Sequence, residues 1–115
     1  MNDLQRVIER IRQFRDERDW MQFHHPKEMA AGIAIEAAEL MELFLWKTEE
    51  EQHEIVERKR EQIEDELADI GMFLLELADN LGIDLLDAIE AKIEKNAQKY
   101  PVAKSKGRSE KYSEL

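Results

Sequence analysis

Two pairs of carboxylates are the residues of this sequence best suited to chemistry. Glu36 and Glu39 are three positions apart, and so are Glu66 and Asp69. Residues at this spacing lie on the same side of a helix, so each pair would present two carboxylates together. Because desolvating an unpaired carboxylate costs several kcal/mol, four of them together must take up protons or recruit positive charge.

The surroundings of these two pairs distinguish them from the other acidic pairs of the chain. Asp and Glu total 27, so many pairs share the spacing by chance, and we interpret those in charged segments as solvated faces. Apolar residues flank Glu36 and Asp69, and residues 28–46 and 61–91 contain no Lys, Arg or His. These carboxylates therefore have no cation nearby on their own helix.

The donor set indicates which metal these pairs would bind. Oxygen ligands without sulfur suit a hard divalent cation, so we expect Mg²⁺, with Mn²⁺ as a substitute. The alternative is that Lys47, Lys92 or Lys95 folds over and pairs with the carboxylates. A di-iron site would need a Glu-x-x-His motif on each of two helices. That motif occurs once, at Glu50–His53 in a charged stretch, so we reject this possibility.

The overall composition limits the classes of function. The chain has 115 residues, the size of one domain, and 17 basic against 27 acidic residues, a formal charge of −10. This acidic balance argues against a general nucleic-acid binder, and the absence of Cys excludes disulfides and cysteine nucleophiles. Residues 1–20 are charged throughout, and no apolar run approaches a membrane span. We expect a cytoplasmic protein with neither a nucleic-acid nor a membrane partner.

Hydrophobic periodicity and capping residues predict an all-α fold of four helices that position these carboxylates. Pro26 suits the first turn of a helix, Thr48 and Glu51 form a capping box, and Asp84 can cap a further helix. The predicted helices are a first one carrying Leu4 to Phe14, a second from Pro26 to about Trp46, a third from Glu49 to about Asn80, and a fourth from Asp84 to about Tyr100.

The second helix is apolar on nearly all sides. Its only charges between Met29 and Trp46 are those of Glu36, Glu39 and Glu42, and residues 67–81 are similarly apolar. Two such helices expose more apolar surface than one small bundle covers, so we expect the chain to oligomerise, most simply as a symmetric dimer.

The C-terminal residues differ in composition from the rest of the chain. We place a helical domain at residues 1–103 and a polar, basic tail at residues 104–115, which contain Lys104, Lys106, Arg108 and Lys111. Such a tail is either a frayed terminus or a basic flap over an anionic ligand.

Together these segments resemble the MazG-type all-α nucleoside triphosphate pyrophosphohydrolases. Glu36-Ala-Ala-Glu39 and Glu66-Leu-Ala-Asp69 match the E-x-x-E and E-x-x-D motifs of that family. Similar segments surround them, namely Asp19-Trp20, Phe23–Lys27, Phe44–Lys47, Lys92–Asn96, Lys99–Val102, Gly107 and Lys111-Tyr112. The resemblance covers nearly the whole chain in one order and is nearest to the small dimeric or tetrameric branch acting on dCTP and related nucleotides.

The resemblance implies a fold, a reaction and a metal site. The fold would be a four-helix MazG-like bundle completed by oligomerisation into a homodimer or homotetramer. A nucleoside triphosphate and water would give the monophosphate and pyrophosphate. Glu36, Glu39, Glu66 and Asp69 would be catalytic by binding Mg²⁺, which neutralises the triphosphate and lowers the pKa of an attacking water. Whether Glu36, Glu39 or Glu66 also serves as general base stays open.

The resemblance also implies a set of substrate-binding residues. Lys and Asn side chains would donate hydrogen bonds to phosphate and sugar, and the aromatic and histidine side chains would frame the base. These residues are Trp20, His24, Trp46, Phe73, Lys92, Asn96, Lys99 and Tyr100.

Two residues depart from the family pattern. Glu28 stands where close relatives have Asn, and Phe73 stands where the cytosine-acting branch has Tyr. A missing hydroxyl can change selectivity strongly, so the choice of substrate stays open. It is either a dCTP-like nucleotide or a non-standard dNTP that the enzyme removes from the nucleotide pool (house-cleaning). The alternatives to an enzyme are a non-catalytic acidic interaction module and a nucleotide-binding relative that has lost turnover.

Overall fold

The computed structural model describes all 115 residues, and its regular elements are all helical. The predicted all-α class is confirmed. None of the helices combines the length and the apolar character that crossing a membrane requires. The α-helices are α1 (Asp3–Glu17), α2 (Pro26–Glu42), α3 (Glu49–Arg58), α4 (Arg60–Asn80), α5 (Leu85–Lys99) and α6 (Val102–Ser105), and 3-10 turns lie at Met21–Phe23 and Tyr112–Glu114.

The predicted helix starts are confirmed by their capping contacts. Pro26 occupies the first turn of α2. At the start of α3 the Glu51 amide donates to Thr48 Oγ1 at 3.2 Å, and the Thr48 amide donates to Glu51 Oε1 at 3.1 Å. Asp84 accepts a hydrogen bond from the amide of Asp87 at 3.1 Å at the start of α5. Side-chain acceptors thus satisfy amides that a helix start leaves free.

The second helix is shorter than predicted. It ends at Glu42, and the next residues form a tight turn in which the Phe44 amide donates to Met41 and the Leu45 amide to Glu42. Trp46 then adopts a left-handed backbone conformation with φ of 61°. A left-handed residue just beyond a helix commonly ends it, but that residue is usually Gly, so the apolar run through Trp46 concealed the end.

The third predicted helix is two helices. α3 and α4 are separated by Lys59 alone, whose backbone angles of −113° and 31° leave the helical region. Helical hydrogen bonds continue on both sides of Lys59, from its amide to the Ile55 carbonyl and from the Ile63 amide to the Lys59 carbonyl. No Gly or Pro marks this position, so periodicity alone predicts an uninterrupted helix.

The chain divides into two compact units, residues 1–81 and residues 82–115. In the first unit α4 contacts α1, α2 and α3, and its longest contact is with α2. Each of the four helices contributes one buried apolar side chain to the core, namely Ile11, Met29, Ile55 and Ala78. The long helix α4 is therefore the element against which the other three are positioned.

The second unit consists of α5, α6 and the C-terminal residues. α5 ends at Lys99, close to the predicted end at Tyr100, and Pro101 caps α6. The rings of Tyr100 and Tyr112 meet edge to face with their centres 6.0 Å apart, and Lys99 Nζ lies 5.0 Å above the Tyr112 ring. The C-terminal turn therefore packs on the end of α5. The boundary at residue 103 stays a prediction.

Candidate functional site

The candidate site lies where α2 crosses α4. The two helices approach closely at Gly32, where an added Cβ would lie only 2.9 Å from the Phe73 ring. One helical turn further along each helix lie Glu36 and Asp69, because both are four residues from the contact. The absence of a side chain at Gly32 thus leaves room for the Phe73 ring against α2, beside the carboxylates.

Three of the four predicted carboxylates form a cluster, which we call the acidic cluster. One carboxylate oxygen each from Glu36, Glu39 and Glu66 lies within 4.8 Å of the others. Glu36 and Glu66 are half-buried and Glu39 is exposed. Asp69 is not in this group, but it lines a pocket together with Glu36. The structure therefore brings both predicted motifs to one place.

The acidic cluster carries negative charge without a cation to neutralise it. Within residues 1–81, no Lys, Arg or His forms an ion pair with any of the four acids. The neighbouring Glu66 carboxyl, followed by burial, raises the pKa of Glu36. The neighbouring Glu36 carboxyl raises the pKa of Glu39. Like charges at this separation oppose ionisation, so the cluster favours a bound proton or a bound cation.

The residues present fit a hard divalent cation. The Oε2 atoms of Glu36 and Glu66 are buried and have no hydrogen-bond partner. A buried carboxylate oxygen without a partner is unfavourable unless something else binds it. A ligand set made of carboxylate oxygens suits Mg²⁺ and Mn²⁺, which prefer hard oxygen ligands, so such a cation would satisfy both free oxygens.

A pocket of about 260 Å³, which we call the aromatic pocket, opens next to the acidic cluster. Three of the predicted base-binding residues, Trp20, His24 and Phe73, line it, and so do Glu36 and Asp69. Its volume is near the lower end of small-ligand pockets, roughly 300 Å³, so it suits one ring system rather than a whole nucleotide. Its remaining lining residues are Ile11, Phe14, Arg15, Met72 and Glu76.

A buried polar network, which no sequence pattern predicted, lies in the wall of the aromatic pocket. Glu76 is only 4% exposed, and its carboxylate accepts hydrogen bonds from His24 Nδ1 at 2.8 Å and from Asn80 Nδ2 at 2.9 Å. Arg15, also buried, donates to Asn80 Oδ1 at 3.0 Å, and its Nη1 lies 3.8 Å from Glu76. The one sequence feature that could have indicated this network is a carboxylate, Glu76, within an apolar stretch of α4.

The remaining predicted substrate-binding residues do not line the aromatic pocket, and four of them belong to the unit of residues 82–115. Trp46 is 91% exposed and does not line the aromatic pocket. Lys92, Asn96, Lys99 and Tyr100 lie on α5 or at its end, in the unit of residues 82–115, and all are exposed. Their roles stay predictions.

Known proteins resemble this chain in both sequence and structure. The model of the MazG-like family matches residues 32–115. dCTP pyrophosphatase 1 of Bos taurus is 39% identical and that of Homo sapiens is 37% identical, each over 105 residues and 90% of this chain. The chain spans 62% of the length of these relatives.

A solved structure agrees with the family match. The crystal structure of a pyrophosphatase from Archaeoglobus fulgidus superimposes with a TM-score of 0.85 at 39% sequence identity. The match covers 88% of this chain and 94% of the archaeal chain, so it extends over nearly the whole fold. The all-α architecture, the two acidic motifs and the family match over residues 32–115 together lead to one conclusion: this chain belongs to the MazG-like family.

Proposed function

We propose that this chain is a metal-dependent nucleoside triphosphate pyrophosphohydrolase, which converts a (d)NTP and water into the monophosphate and pyrophosphate. The observation that carries this proposal is that Glu36 belongs both to the acidic cluster and to the aromatic pocket. A nucleotide needs these two environments side by side, one for its phosphates and one for its base. The dCTP pyrophosphatases and the archaeal pyrophosphatase among the similar proteins support the same reaction class.

In this proposal Glu36, Glu39, Glu66 and Asp69 hold Mg²⁺, which Mn²⁺ can replace. The bound cation would neutralise the triphosphate and increase the acidity of a water molecule. The water oxygen would bond to one of the two phosphorus atoms that flank the oxygen between the α and β phosphates. The bridging oxygen would leave with the other product, so that the monophosphate and pyrophosphate form, and a carboxylate of the acidic cluster would take the proton of the water. Glu36, Glu39 and Glu66 are the candidates for this proton acceptor, because their carboxylates form the cluster.

The aromatic pocket would hold the base. Trp20 and Phe73 offer flat apolar surfaces, and the Trp20 and His24 rings lie with their centres 6.4 Å apart. Lys92, Asn96 and the other predicted ligands on α5 would complete the phosphate and sugar contacts. We propose dCTP or a related non-standard dNTP as substrate and removal of surplus nucleotides as the role.

We also propose that the chain acts as a homodimer or homotetramer. Several large apolar side chains of α2 and α4 are exposed in the single chain, including Ile35 at 57%, Met41 at 59% and Leu67 at 54%. Exposed apolar area on two long helices is typical of a surface that a second copy covers.

The test is pyrophosphate release from a panel of dNTPs and NTPs, first with Mg²⁺ and then with EDTA. The proposal requires release of pyrophosphate rather than phosphate, and its loss in EDTA. Glu39→Ala and Asp69→Ala should each lower kcat at least a hundredfold, because each removes a proposed metal ligand. Glu54→Ala is the matched control, since Glu54 is an exposed helical carboxylate outside the acidic cluster.

Two results would contradict the proposal. Full activity of Asp69→Ala or Glu39→Ala would show that the ligand assignment is wrong. Absence of pyrophosphate release across the panel would show that the chain does not catalyse this reaction. A thermal shift with Mg²⁺ and nucleotide would then separate a nucleotide-binding protein from an acidic interaction module.

A further inference from the structure

The wall of the aromatic pocket holds a carboxylate that the proposed chemistry does not use. Glu76 is two helical turns from Asp69 along α4, about 10 Å from the acidic cluster end of the pocket. At that distance it cannot share the proposed metal. Its side chain is buried nevertheless, and a buried carboxylate persists only when hydrogen bonds satisfy it.

The hydrogen bonds of Glu76 define the orientation of the groups around it. Asn80 accepts from Arg15 through Oδ1, so its Nδ2 is the atom that donates to Glu76. A carboxylate accepts only, and both of its oxygens lie within 3.0 Å of His24 Nδ1. The proton of His24 must therefore reside on Nδ1.

This constraint determines what His24 offers to a ligand. In a neutral imidazole with its proton on Nδ1, the second nitrogen, Nε2, is a hydrogen-bond acceptor. No protein group hydrogen-bonds to Nε2, and His24 lines the aromatic pocket. Besides the carboxylates of Glu36 and Asp69, the pocket thus contains a free imidazole acceptor, and its being an acceptor rather than a donor depends on Glu76.

We propose that Glu76 is a positioning residue for base selection: it holds His24 with its proton on Nδ1, so that Nε2 favours a base presenting an N–H donor over one presenting a carbonyl at that edge. This inference rests on the proposed function, since it assigns the base to the aromatic pocket. Asn80 and Arg15 support the carboxylate, and neither needs to touch the ligand.

The informative variant is Glu76→Gln. The amide has one acceptor oxygen, but Glu76 receives donors from both His24 and Asn80. If the oxygen stays with Asn80, the amide NH₂ faces His24, which must then accept through Nδ1 and carry its proton on Nε2. We expect the free nitrogen to become a donor, with a preference for a carbonyl at the same edge of the base.

The first measurement is the tautomer of His24, by ¹⁵N NMR at pH 8, where an ordinary imidazole is neutral. The three histidines are assigned by substituting His24. Wild-type protein should carry the proton on Nδ1, and Glu76→Gln should carry it on Nε2. This readout needs no turnover, so it decides the positioning role even if the proposed activity fails.

The second measurement is kcat/KM for dCTP and dUTP, which carry an amino group and a carbonyl respectively at C4, the position that the proposal places against Nε2 of His24. Glu76→Gln should lower the dCTP to dUTP ratio at least tenfold. Asp79→Asn, the same chemical change on α4 outside the aromatic pocket, should leave that ratio unchanged. A purely structural role for Glu76 would lower both rates equally.

The outcomes separate the two proposals. An Nε2 proton in the wild type, or an unchanged ratio in an active Glu76→Gln enzyme, overturns the inference. A third outcome is that the wild type turns over no nucleotide, while its His24 carries the proton on Nδ1 and Glu76→Gln moves that proton to Nε2. This outcome overturns the proposed function and leaves the positioning role of Glu76 supported.

Discussion

Substituting Gly32 by Ala tests the close approach of α2 and α4. The added Cβ would lie 2.9 Å from Cε1 and Cζ of Phe73 and 3.1 Å from Cδ1. Carbon atoms in ordinary contact are about 3.5–4.0 Å apart, so the overlap is roughly 0.6 Å or more. Either the ring or one of the helices must move.

The expected change in the free energy of unfolding combines two opposing effects. Ala is favoured over Gly inside a helix by about 1 kcal/mol. Overpacking a well-packed contact costs about 1–3 kcal/mol. The net effect of Gly32→Ala is therefore a loss of about 0–2 kcal/mol, which urea denaturation followed by circular dichroism would measure.

Gly71 provides a matched control, because it also lies inside a helix but has no atom within 4 Å of an added Cβ. Gly71→Ala should raise the free energy of unfolding by about 0.5–1 kcal/mol. The difference between the two variants, about 1–3 kcal/mol, isolates the strain against Phe73. Adding Phe73→Leu to Gly32→Ala should remove much of that strain, giving a non-additive double-mutant cycle.

Gly32→Ala should also affect the aromatic pocket and the acidic cluster differently. Phe73 lines the aromatic pocket and has open space beside it, so we expect its ring to turn into the pocket while the helices keep their separation. Metal affinity should then change less than threefold, while the thermal shift from nucleotide is largely lost. Equal stabilisation by Gly32→Ala and Gly71→Ala, with unchanged nucleotide binding, would refute this reasoning.

Three further perturbations have defined outcomes. Ile55→Ala, which empties a position only 1% exposed, should cost about 2–5 kcal/mol in urea denaturation, whereas Val56→Ala, at 40% exposed, should cost less than about 1 kcal/mol. Arg12 lowers the pKa of Asp79, so their pair contributes stability that is present above the unfolded-state pKa of about 3.9 and lost as pH falls through the lower folded-state pKa. Asp79→Asn should therefore lower Tm slightly at pH 7, by an amount that shrinks as the pH falls below about 3.9, and a deficit that stays the same down to the lowest pH at which the protein is folded would contradict this. The pKa of Glu39 is raised, so its charge opposes folding at neutral pH without metal, and Glu39→Gln should raise Tm in EDTA but abolish the increase produced by Mg²⁺. A lower Tm of Glu39→Gln in EDTA would contradict the repulsion.

The sequence predicted most of the fold because its signals were local. Thr48, Asp84 and Pro26 act through bonds within one helical turn, so their residue types alone identify the helix starts. The break at Lys59 and the left-handed Trp46 have no such signal. Their conformations depend on packing between helices, which the order of residues along one helix does not reveal.

The acidic cluster was predictable for a similar reason. Spacing along each helix and the lack of cations nearby selected Glu36, Glu39, Glu66 and Asp69. The packing of α2 against α4 brings the three glutamates into the acidic cluster and places Asp69 with Glu36 in the lining of the aromatic pocket. The network around Glu76 was not predictable, because its partners Arg15 and His24 come from segments more than fifty positions away. No periodicity links such residues, and only the packed structure shows that they surround the Glu76 carboxylate.

The contrasting settings of the two tryptophans give the protein its own optical reporter. Trp20 lines the aromatic pocket beside His24, whereas Trp46 stands almost wholly in solvent. A base stacked on Trp20 should quench its emission, and the exposed Trp46 adds a second signal that must be removed before the quench is assigned to Trp20. Because the chain has no other tryptophan, replacing Trp46 by Phe leaves a single fluorophore in the pocket. Ligand association could then be followed in stopped-flow experiments without any attached dye.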